Sequence, residues 1–144
     1  MSGLDAVQAL YEAYIAKAEQ LERDRKPGEG LFGFGKSPKD DPCHERFAAD
    51  LQALLKDVLA GNPAPDEVRE ILRYIYFTPQ EHTEPLSVYW MLQAVHGMTV
   101  DLAARLTPQD ARSLRDEYVK AYRRWDRLPS HKKALAALDR AQKG

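Results

Sequence analysis

Apolar residues recur along most of this chain at alternating spacings of three and four, the period of an amphipathic α-helix. The first stripe, Leu4, Val7, Tyr11, Tyr14, Ala18 and Leu21, predicts a helix from about Leu4 to Arg25, flanked by Leu10 and Ile15. Glu19 and Arg23 stand at i,i+4 on its polar side, where such pairs support a helix. Three heptads of stripe also suit a homodimer through this helix; packing inside its own chain is the simpler expectation.

Asp41 followed by Pro42 reads as an N-cap with proline at the first helical position. Phe47, Leu51, Leu54, Leu55, Val58 and Leu59 continue that helix until Gly61, and Pro63 and Pro65 prevent its extension. A further helix, Asp66 to Phe77, carries Val68, Ile71, Leu72 and Ile75 on one face. Its last four residues, Tyr74 to Phe77, have high β-propensity, but an isolated strand has nothing to pair with, so helix is expected. Thr78-Pro79-Gln80-Glu81 spells a capping box, and Thr107-Pro108-Gln109-Asp110 echoes it with Asp for Glu. The echo is shared capping chemistry, because aligning the two sets Val88 on Glu117 and Val95 on Arg124.

Pro85 divides a single turn from a helix over Leu86 to His96, whose Val88 to Leu92 core is apolar all round. Gly97 marks a break, since glycine inside a helix costs about 1 kcal/mol against alanine. A short helix from Val100 to Leu106 follows, then a longer one burying Ala111, Leu114, Tyr118, Ala121, Trp125 and Leu128. Pro129 ends that helix, Ser130 caps the last one, and Leu135 and Leu138 give it a thin apolar edge. The expected architecture is a single all-α domain over residues 1–144, a bundle of six or seven helices without a sheet. Between the first two helices, residues 26–41 hold Gly28, Gly30, Gly33, Gly35, Pro27 and Pro38 and read as a long Gly/Pro-rich loop.

The chain has 144 residues, 44% hydrophobic and 30% charged, with a net charge of −1. That composition excludes a disordered chain and a disulfide mini-protein. The longest apolar runs, Val88–Leu92 and Ala134–Leu138, fall far short of the roughly 20 residues a membrane span needs. A lone cysteine, Cys43, and no basic, apolar leader predict a reducing, cytoplasmic setting. The charge is unevenly spread. Residues 1–72 carry 9 basic and 14 acidic side chains, while from Arg105 onward there are 11 basic and 5 acidic. Such asymmetry marks either an interaction face or two halves that attract each other.

Two motifs invite over-reading. Gly30 to Ser37 matches the P-loop pattern, but no buried strand precedes it, and Pro38, Asp40, Asp41 and Pro42 follow. Without a strand before and a helix after, backbone amides do not converge on phosphates. Thr99 to Arg112 has the cadence of a helix-turn-helix, which would put Gln109, Arg112 and Arg115 at the start of a recognition helix. Yet Thr107 occupies the turn where glycine is expected, and Asp110, Asp116 and Glu117 would oppose phosphates.

Three sets of candidate residues remain. Leu31, Phe32 and Phe34 are large apolar side chains among glycines, either pinned to the bundle or presented to a partner. Lys120, Arg123, Arg124 and Arg127, followed by His131, Lys132 and Lys133, form a basic patch suited to an acidic protein or to RNA. Asp116 is placed to pair with Lys120. Trp90, His96, Tyr122 and Trp125 are the first choices to line a small-molecule pocket.

No convergent catalytic set is visible. The four histidines are scattered, Cys43 and His44 point about 100° apart on a helix, and Glu81, His82 and Glu84 lack a further ligand at metal spacing. The expected function is therefore a non-catalytic helical interaction or regulatory module acting through a protein partner, without cofactor or metal. Nucleic-acid binding through the basic C-terminal helices is the second reading, and small-ligand binding the third.

Overall fold

The computed structural model describes residues 2–24, 42–122 and 129–143. Every regular element among them is helical, including the strand-prone Tyr74–Phe77. Six helices of nine residues or more carry the fold: α1 (Gly3–Arg23), α2 (Pro42–Ala60), α3 (Pro65–Phe77), α4 (Leu86–Ala94), α6 (Pro108–Ala121) and α7 (Pro129–Gln142). A single-turn α5 (Val100–Ala103) and two 3-10 turns, Thr78–Glu81 and His96–Thr99, complete it. The all-α expectation is met. The Gly/Pro-rich stretch, with its P-loop lookalike and the Leu31, Phe32 and Phe34 tip, lies outside the described residues.

Ser2 starts α1 by accepting the Asp5 N–H, and Asp5 places negative charge in the first turn where the helix dipole favours it. Glu67 of α3 accepts the Gly3 N–H at 3.0 Å, so a carboxylate from one helix start satisfies an open donor of another. Val7, Tyr11, Ile15 and Ala18 form the buried line of α1. Ile15, expected at the flank, is central, whereas Leu21 is 42% exposed. The stripe that would suit a homodimer is thus packed against α2, α3 and α4 of the same chain. Phe47 and Tyr74 meet Tyr11 edge-on at ring separations of 5.0 and 5.1 Å.

Helix α2 ends before Gly61 as expected. The left-handed residue is Asn62, at φ 54°, and its side-chain oxygen accepts an Arg105 N–H at 2.9 Å. Asparagine tolerates this conformation better than most residues with a Cβ.

Helix α3 buries Val68, Ile71, Leu72, Ile75 and Tyr76 and touches α1, α5 and α6. Its continuation corrects one expectation. Thr78 does not cap a new helix; its hydroxyl turns back to the Tyr74 carbonyl, and the backbone runs on into the 3-10 turn. Thr107, with the same local spelling, does cap: its Oγ1 accepts the Asp110 N–H at 3.2 Å. The difference is upstream, because Phe77 is still helical while Thr107 follows an extended break.

The chain beyond α4 is more broken than the periodicity implied. α4 stops at Ala94, and Gly97 sits in a 3-10 turn instead of at a simple gap. α5 is one turn, so the short first helix of the helix-turn-helix reading shrinks to Val100–Ala103, and α6 packs on α3 and α7. α6 ends at Ala121, earlier than its stripe implied, because Tyr122 leaves helical geometry (φ −117°, ψ 33°) and turns its ring inward. Pro129 opens α7 instead of closing α6, and Ser130 lies inside that helix without capping it.

Candidate functional site

Two places concentrate chemistry-bearing side chains, one sealed inside the bundle and one on its surface. The interior cluster forms where α3, α6 and α7 close around the 3-10 turn His96–Thr99. His96 and His131 are fully buried and their rings stack at 5.6 Å. Tyr76, Tyr118 and Tyr122 surround His96 with ring centroids 5.4 to 5.6 Å away.

Hydrogen bonds fix the protonation pattern. His96 Nε2 lies 3.1 Å from the Ile75 carbonyl, which only accepts, so this nitrogen carries the proton. Nδ1 is then an acceptor, and the Tyr118 hydroxyl donates to it at 2.8 Å. Thr99 Oγ1 donates to the His96 carbonyl, leaving Tyr76 as donor to Thr99 at 2.7 Å. The Tyr122 hydroxyl donates to the Tyr76 carbonyl. Burial, reinforced by the nearby His131, pushes His96 down to about 3, against the smaller opposing effect of its Ile75 bond. Burial likewise raises the Tyr76, Tyr118 and Tyr122 hydroxyls. All four groups are neutral near pH 7 and engaged with one another or the backbone. These bonds tie α3, the 3-10 turn and the end of α6 together.

Of the four pocket candidates, His96 and Tyr122 come together in this cluster. Trp90 is partly buried on α4, and Trp125 lies outside the described residues. His131, Tyr76 and Tyr118 were not singled out for a pocket. For His131 the signal existed: it continues the three–four spacing of Ala134, Ala137, Leu138 and Ala141 back to the first turn of α7. Among the described residues, no three His, Cys, Asp or Glu side chains gather as a metal site.

The surface feature is the outer face of α7. Lys132, Lys133, Arg140 and Lys143 are exposed, and at 3.6 residues per turn they fall within an arc of about 100° along about 16 Å of helix. The only acidic residue of α7, Asp139, is taken up by Arg115 of α6. Lys120 is exposed too, and the expected Asp116–Lys120 pair does not form. Arg123, Arg124 and Arg127 lie outside the described residues.

Ion pairs across the molecule do not neutralise this face. The pair joining the acidic first half to the basic second half is Arg69 with Asp110, the reverse of the polarity the charge totals suggest. Arg73 pairs with Glu117, at 2.6 Å. Among the described residues no acidic side chain of α1 to α3 meets a cation of α7. No helix of the described residues is long and apolar enough to cross a membrane. Comparison with protein-family models, curated proteins and solved structures found no match for this chain.

Proposed function

We propose that this chain is a non-catalytic helical interaction module that docks an acidic protein segment on the outer face of α7. The observation that carries the reading is the arc of Lys132, Lys133, Arg140 and Lys143 with its one acidic neighbour already committed to Arg115. Four cations on and just past α7, with no ion pair among the described residues, raise the local concentration of negative partners and speed their encounter. The same arc contains only Pro129 and Ala136 besides the cations, so beyond lysine and arginine it has no side chain to read a base edge.

The test is a titration of the purified chain with a fluorescent oligoglutamate peptide and, in parallel, a DNA duplex of equal length. Peptide binding that weakens as salt rises, and falls at least tenfold in the doubly reversed Lys132→Glu/Lys133→Glu variant with its thermal unfolding unchanged, supports docking. Binding of the duplex alone replaces it with the nucleic-acid reading. Binding of neither leaves the face as solvated charge and overturns the proposal.

A further inference from the structure

The His96–His131 stack joins the 3-10 turn to the first turn of α7, and both rings are fully buried. Around His96 stand Tyr76 and the Ile75 carbonyl from α3, Tyr118 from α6, Tyr122 just past its end, and His131 from α7. The aliphatic stem of Lys133 packs on Gly97 beside it, and its charge is exposed. From α4 the nearest titratable ring is Tyr89, and α5 contributes Asp101, which is exposed. Among the described residues no carboxylate is paired with the ring. A proton added to His96 would bring a cation against a second imidazole in a dry site, and Tyr118 would lose the acceptor for its hydroxyl.

We propose that the His96–His131 stack is an acid-sensitive latch, and that proton uptake by His96 releases α7 while α1 to α4 stay folded. Release stops at α7 because most of the side chains it buries are small. Its buried face is His131, Ala134, Ala137, Leu138 and Ala141, with one large aliphatic side chain, whereas α3 buries Val68, Ile71, Leu72, Ile75 and Tyr76. Elements with little buried apolar surface open first. Ser130 adds polar anchorage, accepting the Gly97 N–H and donating to the Gln93 carbonyl.

The sign follows from where the proton is accepted. In the latched state His96 stays neutral down to about 3, while once exposed it titrates near its ordinary value of about 6.5. The open form therefore gains protons first as pH falls through that window, and the latch is most secure above it. Lowering the pH from 7.5 to 5 raises the opening equilibrium about thirty-fold through His96 alone.

Hydrogen exchange of the whole chain, corrected for intrinsic rates and followed from pH 7.5 to 4.5, tests the latch. Amides of α7 and of the His96–Thr99 turn should lose about thirty-fold in protection by pH 5 and should stay less protected than those of α1 and α3 throughout, because the latter open only when the whole chain unfolds. His96→Gln retains a donor for the Ile75 carbonyl and an acceptor for Tyr118 but takes no proton, so its α7 protection should fall less steeply with pH than that of the wild type. Flat wild-type protection in α7, α7 protection equal to that of α1 and α3 at pH 5, or an unchanged pH slope in a folded His96→Gln variant each overturns the proposal. Should that variant not fold, the wild-type slope below pH 6.5 still decides.

Discussion

Ser130 offers the sharpest check on how the C-terminal helix is held. Its Oγ accepts the Gly97 N–H at 2.9 Å and donates to the Gln93 carbonyl at 2.9 Å, with the Ala94 carbonyl at 3.2 Å. Ser130→Ala removes both bonds and strands an N–H in a partly buried turn. A stranded buried donor costs about 1–3 kcal/mol, and partial access of water places this site near 1–2 kcal/mol. With a urea m-value of about 2 kcal/mol/M, the unfolding midpoint should fall by about 0.5–1 M at an unchanged slope. Ser113→Ala, on the exposed side of α6, is the control: helix propensity alone should raise stability by a few tenths of a kcal/mol. A Ser130→Ala midpoint that is unchanged or raised, as in the control, would refute the anchoring role. Ser130→Asp separates anchoring from capping, since aspartate is a good N-cap but its carboxylate cannot donate to Gln93; it should stay as unstable as the alanine variant.

Other outcomes follow from packing. Leu72→Ala, at a fully buried position of α3, should cost about 2–5 kcal/mol in equilibrium unfolding. Thr107→Ala, which deletes the α6 cap, should cost about 1 kcal/mol. Gly97→Ala should be neutral or stabilise by up to about 1 kcal/mol by calorimetry, because the new methyl meets the flexible Lys133 chain at 3.1 Å and the backbone there is not left-handed. A loss above 1 kcal/mol would show that the turn needs glycine for closer packing than this.

The helices that periodicity located well are those whose stripe faces one way. α1, α2 and α3 were legible from apolar spacing, and Pro42 and Pro65 open their helices as proline at a first position should. The misreadings involve polar side chains whose partner is not the one their local spelling suggests. Ser130 spells a cap locally, but its hydroxyl is spent on the end of α4. Thr78 spells a capping box, but the helix before it never breaks. His96 and His131 are far apart in the chain, and nothing local announces that their rings stack. The basic residues of α7 were legible; that their acidic neighbour Asp139 is spent on Arg115 of α6 was not.

The Tyr74-Ile75-Tyr76 run, which resembles a strand, has a consequence for how damage spreads. Two residues apart on a helix is about 200° of rotation, so Tyr74 meets Tyr11 while Tyr76 meets Tyr118 and Thr99 on another side. Near-neighbours in sequence are thereby strangers in energy. In double-mutant cycles, Tyr74 should couple to Tyr11 and Tyr76 to Tyr118, whereas Tyr74 and Tyr76 changed together should simply add. One wall serves two rooms, and a repair made in one goes unnoticed in the other.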